Sequence, residues 1–174
     1  MEFPAADVQV LVTQIADILR ARNETLAISE AACGGLLSAY IVSVPGASDF
    51  YIGGKLLYLL KQRLKLSGWS ETDIADYMGP SEQVALKLAR TTKYELGSTY
   101  VLSETGFAGP SADLHLLVTP GSDEIGKVYL GLSGPNGESS CSRNTNCRIR
   151  SQNMTQFAKM GLEFLLDELR DIDV

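Results

Sequence analysis

The chain has 174 residues, 45% of them hydrophobic and 21% charged, with a formal net charge of −6. That length fits a single domain with a full core, and the acidic balance, without any Lys/Arg-rich block, argues against the phosphate backbone of nucleic acid as the main partner. No apolar run approaches the ~20 residues of a membrane span, the opening MEFPAADVQV lacks the basic region of a secretory signal, and one histidine with three widely spaced cysteines cannot form a Cys/His zinc set.

Apolar residues at Val8, Leu11, Val12, Ile15, Ile18 and Leu19 recur at the spacing of an amphipathic helix. After ARNET comes TLAIS, a short buried strand, and then SEAACGG, whose glycine pair marks a strand-to-helix turn. Leu37, Tyr40, Ile41 and Val44 share one face of a helix over residues 36–44, stopped by Pro45-Gly46. A strand is predicted around residues 55–58, followed by a short basic helix. Ser70 is a candidate N-cap, and Pro80-Ser81-Glu82 opens a long helix through Val84, Leu88 and Leu96 to a Gly97 C-cap. TYVLSETG, rich in β-formers, ends in TGFAGP. A loop over residues 111–124 leads to GKVYLGLSG, where Val128, Leu130 and Leu132 alternate as in a strand. A Gly-Pro-Asn-Gly turn connects it to a polar partner strand around residues 139–146. The closing helix, residues 149–169, carries Met154, Phe157, Met160, Leu162, Leu165, Leu166 and Leu169 as core or dimer surface.

Helices alternating with strands predict an α/β fold, a three-layer α/β/α sandwich on a mixed, largely parallel sheet, as one domain over residues 1–174. In such sheets ligands bind beyond the carboxyl ends of the strands. The loops after Ser29, Tyr58 and Thr105 fall at such ends, so SEAACGG, LLYLLKQR and TGFAGP are candidates for one site. The three cysteines, Cys33, Cys141 and Cys147, read as free thiols of a reducing compartment.

With these loops in view, the chain resembles the CinA family, specifically its C-terminal domain, which also occurs alone as nicotinamide-nucleotide amidase. SEAACGG matches the family's AES-C/T-TGG element. Pro45-Gly46-Ala47-Ser48, Gly53-Gly54 and Tyr58 match PGAS…GG…Y, Gly79-Pro80-Ser81-Glu82 matches G-x-SEE, and TGFAGP matches TGIAGP. EIGKVY matches PVGTVY, so the elements occur in the family's order over nearly the whole chain, while the family's N-terminal molybdopterin-binding-like domain has no counterpart here. The resemblance implies a cytoplasmic homodimer that acts on a small nucleotide of the nicotinamide mononucleotide type. The reaction releases ammonia from the carboxamide and uses no metal or other cofactor.

Carried over position by position, the resemblance keeps Glu30 and Tyr58 but puts Ala31 where the family has its nucleophilic serine and Arg63 where it has lysine. Arginine keeps the charge but does not deprotonate near neutral pH, so it is no base. The family's phosphate-holding GDR-x-x-V/I-R falls on residues 144–150, with Asn146 at its first arginine and Arg150 at its second. Candidate catalytic groups are therefore Tyr58, Cys33 and Glu30. Candidate binding residues are Gly34, Gly35, Arg63, Thr105, Gly106, Ala108, Gly109 and Arg150. Cys33 is either a thiol activated beside a helix N-terminus or a small buried residue. Lys55 and Lys61 are either a replacement amine or solvated charges. The glycines of SEAACGG and TGFAGP serve either close approach of a ligand or a tight turn. The expectation is a partly retained nucleotide pocket with weak or lost amidase activity, against an active hydrolase using Cys33, or a non-catalytic dimeric scaffold.

Overall fold

The candidate loops follow strands that lie side by side and point the same way. The computed structural model describes residues 2–59, 62, 65, 66, 68–112 and 122–172. Strand β1 (Leu26–Glu30) pairs in parallel with β2 (Tyr51–Leu56) on one side and with β3 (Tyr100–Gly106) on the other. β3 runs antiparallel to β4 (Lys127–Gly134), and β4 to β5 (Gly137–Asn144). The sheet order β2-β1-β3-β4-β5 makes the expected mixed sheet, but not a largely parallel one: two ladders are parallel and two antiparallel, because the chain after β3 returns through hairpin-type neighbours rather than crossovers. The parallel half is joined through helices, as parallel neighbours require, whereas the turn between Gly134 and Gly137 closes a hairpin.

Helices cover both faces. α1 (Ala6–Arg22), α2 (Leu36–Val42) and α5 (Arg150–Asp171) pack together on one side, and α4 (Glu82–Leu96) lies across the other, giving the three layers expected. The main core lies under the first group, where Ile15, Leu19, Ile28, Leu37, Leu102, Leu130, Phe157 and Leu165 are fully enclosed. Ala27, Ala89 and Val101 form a thinner contact beneath α4. Because β1 is covered on both faces, all of its residues are buried and its apolar pattern does not alternate.

Local signals set the helix ends. Ser70 caps the short α3 (Glu71–Ala75) in a capping box with Asp73, Ser81 accepts the Val84 N–H at the start of α4, and Gly97 ends that helix in the left-handed region. The strand predicted around residues 55–58 needs correcting: it begins at Tyr51 and ends at Leu56, so Tyr58 lies beyond it. Gly53-Gly54 hid the strand in the sequence. A Cβ at Gly54 would stand 2.3 Å from the Ile28 carbonyl oxygen, so β1 and β2 come alongside only with glycine there. Of the predicted basic helix, Gln62, Lys65 and Leu66 are helical, while Lys61, Arg63 and His115 lie outside the described residues.

Candidate functional site

The parallel ladders bring the carboxyl ends of β1, β2 and β3 to one sheet edge. The register adds the start of β4 and the end of β5, since Gly106 faces Val128 and Lys127 faces Asn144. The turn after β1 is the innermost part of that edge. Ala31, Ala32 and Cys33 are buried there, and their backbone N–H groups all donate to the Glu104 carboxylate of β3, at 3.1, 3.1 and 3.0 Å. Both Glu104 oxygens accept, the pattern of an ionised carboxylate. Glu104 follows Leu102 by two residues and so faces the same side of the sheet as the main core. Burial pushes its carboxyl above the ordinary value, an effect opposed by the N–H groups of Cys33 and Ala31.

Glu30 does the same one turn further on. Its carboxylate accepts the N–H groups of Leu37 and Ser38 at 2.9 and 3.0 Å and the Ser38 hydroxyl at 2.6 Å, and so caps α2 from within. The Tyr51 hydroxyl extends the chain of bonds to Ser38 at 2.8 Å. The glycine pair has a backbone explanation: Gly34 and Gly35 adopt φ of 64° and 98°, a left-handed region open to glycine at little cost.

Cys33 is only 1% exposed, and its Sγ lies 3.8 Å from the Met154 carbonyl. Burial, and then the charges of Glu104 and Glu30, push its thiol well above the ordinary value. Of the two readings of Cys33, the geometry matches the small buried residue: the adjacent N–H groups face carboxylates, and the sulfur is enclosed against Glu104 and the Met154 carbonyl.

The outer part of the edge is built from longer side chains. Arg150, the first residue of α5, donates from Nη1 to the Gly109 carbonyl at 2.6 Å and from Nη2 to the Tyr58 hydroxyl. Its guanidinium also lies over the Tyr58 ring, 6.0 Å from the centroid. One arginine therefore ties the loop after β2 to the loop after β3. Beneath it, buried Asn153 donates to the carbonyls of Ala108 and Cys147, each at 2.9 Å. Gly106 and Gly109 serve packing, since a Cβ would come within 2.5 Å of the Lys127 carbonyl and 2.9 Å of Ile125 Cγ2 respectively. Next to this loop Asp123, Ile125, Asn144, Asn146, Cys147 and Arg148 line an open depression of about 220 Å³.

A family model described as the CinA C-terminal domain matches residues 8–169. The chain belongs to the CinA family. Relatives named CinA-like protein are 34% identical over 140 residues in Nostoc punctiforme and 33% identical over 163 residues in Myxococcus xanthus, covering 79% and 94% of this chain. The chain spans about a third of those relatives, 32% and 37% of their lengths. The competence/damage inducible protein CihA from Agrobacterium tumefaciens superposes with a TM-score of 0.86 at 20% identity, covering 98% of this chain and 99% of that one. A CinA superfamily protein from Escherichia coli gives 0.82 at 18% identity, covering 95% and 93%. At such identities the solved structures establish the shared fold.

In this CinA domain Arg150 is in direct contact with both Tyr58 and Gly109, and Ala108 is held from below by Asn153. Glu30, Ala31, Cys33, Gly34 and Gly35 form the inner turn, which adjoins the other loops through Leu56 and Met154. Thr105 is fully buried in β3 opposite Tyr129. Lys55 is paired with Glu95 and donates to the Leu66 carbonyl at 2.9 Å, so its amine is held on the sheet edge. The sequence reading missed Glu104 and Asn153. The available signal for Glu104 was a carboxylate in the middle of a β-forming run, which must find donors once buried. Among the described residues no group of three or more His, Cys, Asp or Glu side chains is placed to hold a metal, and no helix is long and apolar enough to cross a membrane.

Proposed function

We propose that this CinA domain binds a pyridine mononucleotide of the nicotinamide mononucleotide type and hydrolyses its carboxamide weakly or not at all. The observation that carries the reading is the division of the edge: Arg150 stands at its outer end, while the inner turn presents a methyl group at Ala31 and amides engaged by Glu104. A guanidinium offers five N–H donors in a fork that suits phosphate. Its contacts with Gly109 and Tyr58 hold it in place without exhausting those donors. The neighbouring depression, at about 220 Å³, is below the roughly 300–1,000 Å³ of pockets that enclose a whole small ligand, but has room for part of one.

Amide hydrolysis needs a nucleophile, a base that returns a proton to the leaving amine, and donors aimed at the developing oxyanion. By the family resemblance the first belongs at Ala31 and the second at Arg63, and neither side chain supplies it. The turn's N–H groups would be the natural oxyanion donors, and Glu104 engages them. An active hydrolase using Cys33 is disfavoured by the burial of that thiol and its raised pKa. We take the working form to be a cytoplasmic homodimer.

Ligand-induced stabilisation tests the binding half. Nicotinamide mononucleotide at 100 times its Kd adds about 2.7 kcal/mol, a melting shift of roughly 5–10 °C for a domain of this size. Arg150→Met is expected to remove most of that shift. An equal shift in the variant would show that the phosphate does not bind there.

A further inference from the structure

The Glu104 carboxylate sits where an external anion would sit. Three consecutive backbone N–H groups, of Ala31, Ala32 and Cys33, converge on it at 3.0–3.1 Å, and the donor and acceptor residues are all at least nine-tenths buried. Successive N–H groups converging on one point make an anion-binding concavity. Here the anion comes from β3 of the same chain, 71–73 residues away in sequence. Among the described residues the titratable groups that act on it are Glu30 and Cys33, neither of them basic, so its charge is offset by the amides with help from the Cys33 thiol.

We infer that Glu104 is the resident anion of the turn after β1, a positioning residue that orders the turn and determines which part of a ligand the turn can accept. While the carboxylate is in place the turn rejects anionic groups, including an oxyanion or a phosphate, and directs them towards Arg150 at the outer end of the edge. The role of Arg150 rests on the function proposed above; the filling of the turn by Glu104 does not.

Chemical rescue tests this. Glu104→Ala removes the carboxylate and leaves both the donors and a space in its place. The variant is expected to melt about 10 °C below the wild type, from three orphaned buried donors. Hydrogen exchange at the amides of residues 31–33 is expected to rise at least tenfold. Acetate at tens of millimolar, as a carboxylate without a tether, is expected to restore several degrees of the loss and slow that exchange, with no matching gain in the wild type. Acetate raising both melting temperatures equally, or amides that stay protected in the variant, would overturn the proposal. If Glu104→Ala does not fold, Glu104→Gln serves: it keeps one acceptor oxygen and turns an NH₂ towards the donors, so exchange at residues 31–33 should still rise, and unchanged exchange would overturn the proposal. Running the same titrations with inorganic phosphate on Arg150→Met separates the two ideas. Acetate rescue that survives the Arg150 change with Glu104→Ala supports the resident anion even if the nucleotide reading fails.

Discussion

The turn after β1 and the loops after β2 and β3 share one sheet edge but meet their polar groups in opposite ways. In the inner turn five backbone N–H groups answer to two carboxylates of the same chain, three to Glu104 and two to Glu30, and nearly every side chain is buried. In the outer loops one exposed arginine supplies the charge, and its partners are a carbonyl and a phenol that leave the guanidinium positive. A hydrogen-bond set closed within the protein stabilises a shape, whereas a charge held at the surface by neutral partners keeps its capacity for a ligand. Proximity to a sheet's carboxyl edge therefore identifies a candidate loop, and the location of each loop's polar partners separates scaffold from site.

Breaking the inner turn is expected to have the largest effect. Glu30→Ala leaves the Leu37 and Ser38 N–H groups without their acceptor at the start of α2, which costs about 3 kcal/mol for a lost internal cap and buried orphan donors. Urea denaturation should show that loss, and a cost below about 1 kcal/mol would mean that the turn is not held by its carboxylates. Next comes Gly35→Ala, at φ 98°, where left-handed strain costs about 1–2 kcal/mol while the nearest atom, Leu56 Cδ2 at 3.5 Å, leaves room for the methyl. Arg150→Met sharpens the contrast from the other side: its effect on stability should stay at or below about 1 kcal/mol, with the main change appearing in ligand binding.

The cysteines offer the mildest probe. With its thiol buried and its pKa raised, Cys33 is expected to resist iodoacetamide in the native protein and to react after denaturation, while half-exposed Cys147 reacts first. Peptide mass mapping over a labelling time course reads the order. Rapid native labelling at Cys33 would reopen the thiol as a nucleophile.

Much of the fold was legible because it is written in local patterns. The period of α1, the alternation of β4 and the caps at Ser70, Ser81 and Gly97 each depend on residues close together in sequence. β2 was misplaced because its glycines carry no side-chain pattern; they are there for the sake of a backbone in another strand. The candidate loops were legible from the strand-end rule, and those of their residues that the structure describes converge on one edge. The role of SEAACGG was not, because its N–H groups find their acceptor 71–73 residues away, on a strand whose own sequence reads as ordinary β. Arg150, by contrast, was reached through its match to a family motif, and its contacts with Tyr58 and Gly109 emerge only once α5 folds back over the sheet.

The most direct test measures ammonia from purified protein incubated with nicotinamide mononucleotide, with a thermal shift recorded on the same samples. The expected result is a clear shift with ammonia at the level of a protein-free control. Turnover at 1 s⁻¹ or more, within the ordinary enzyme range of roughly 1–10³ s⁻¹, would contradict the view that the inner turn is a closed scaffold rather than a catalytic element.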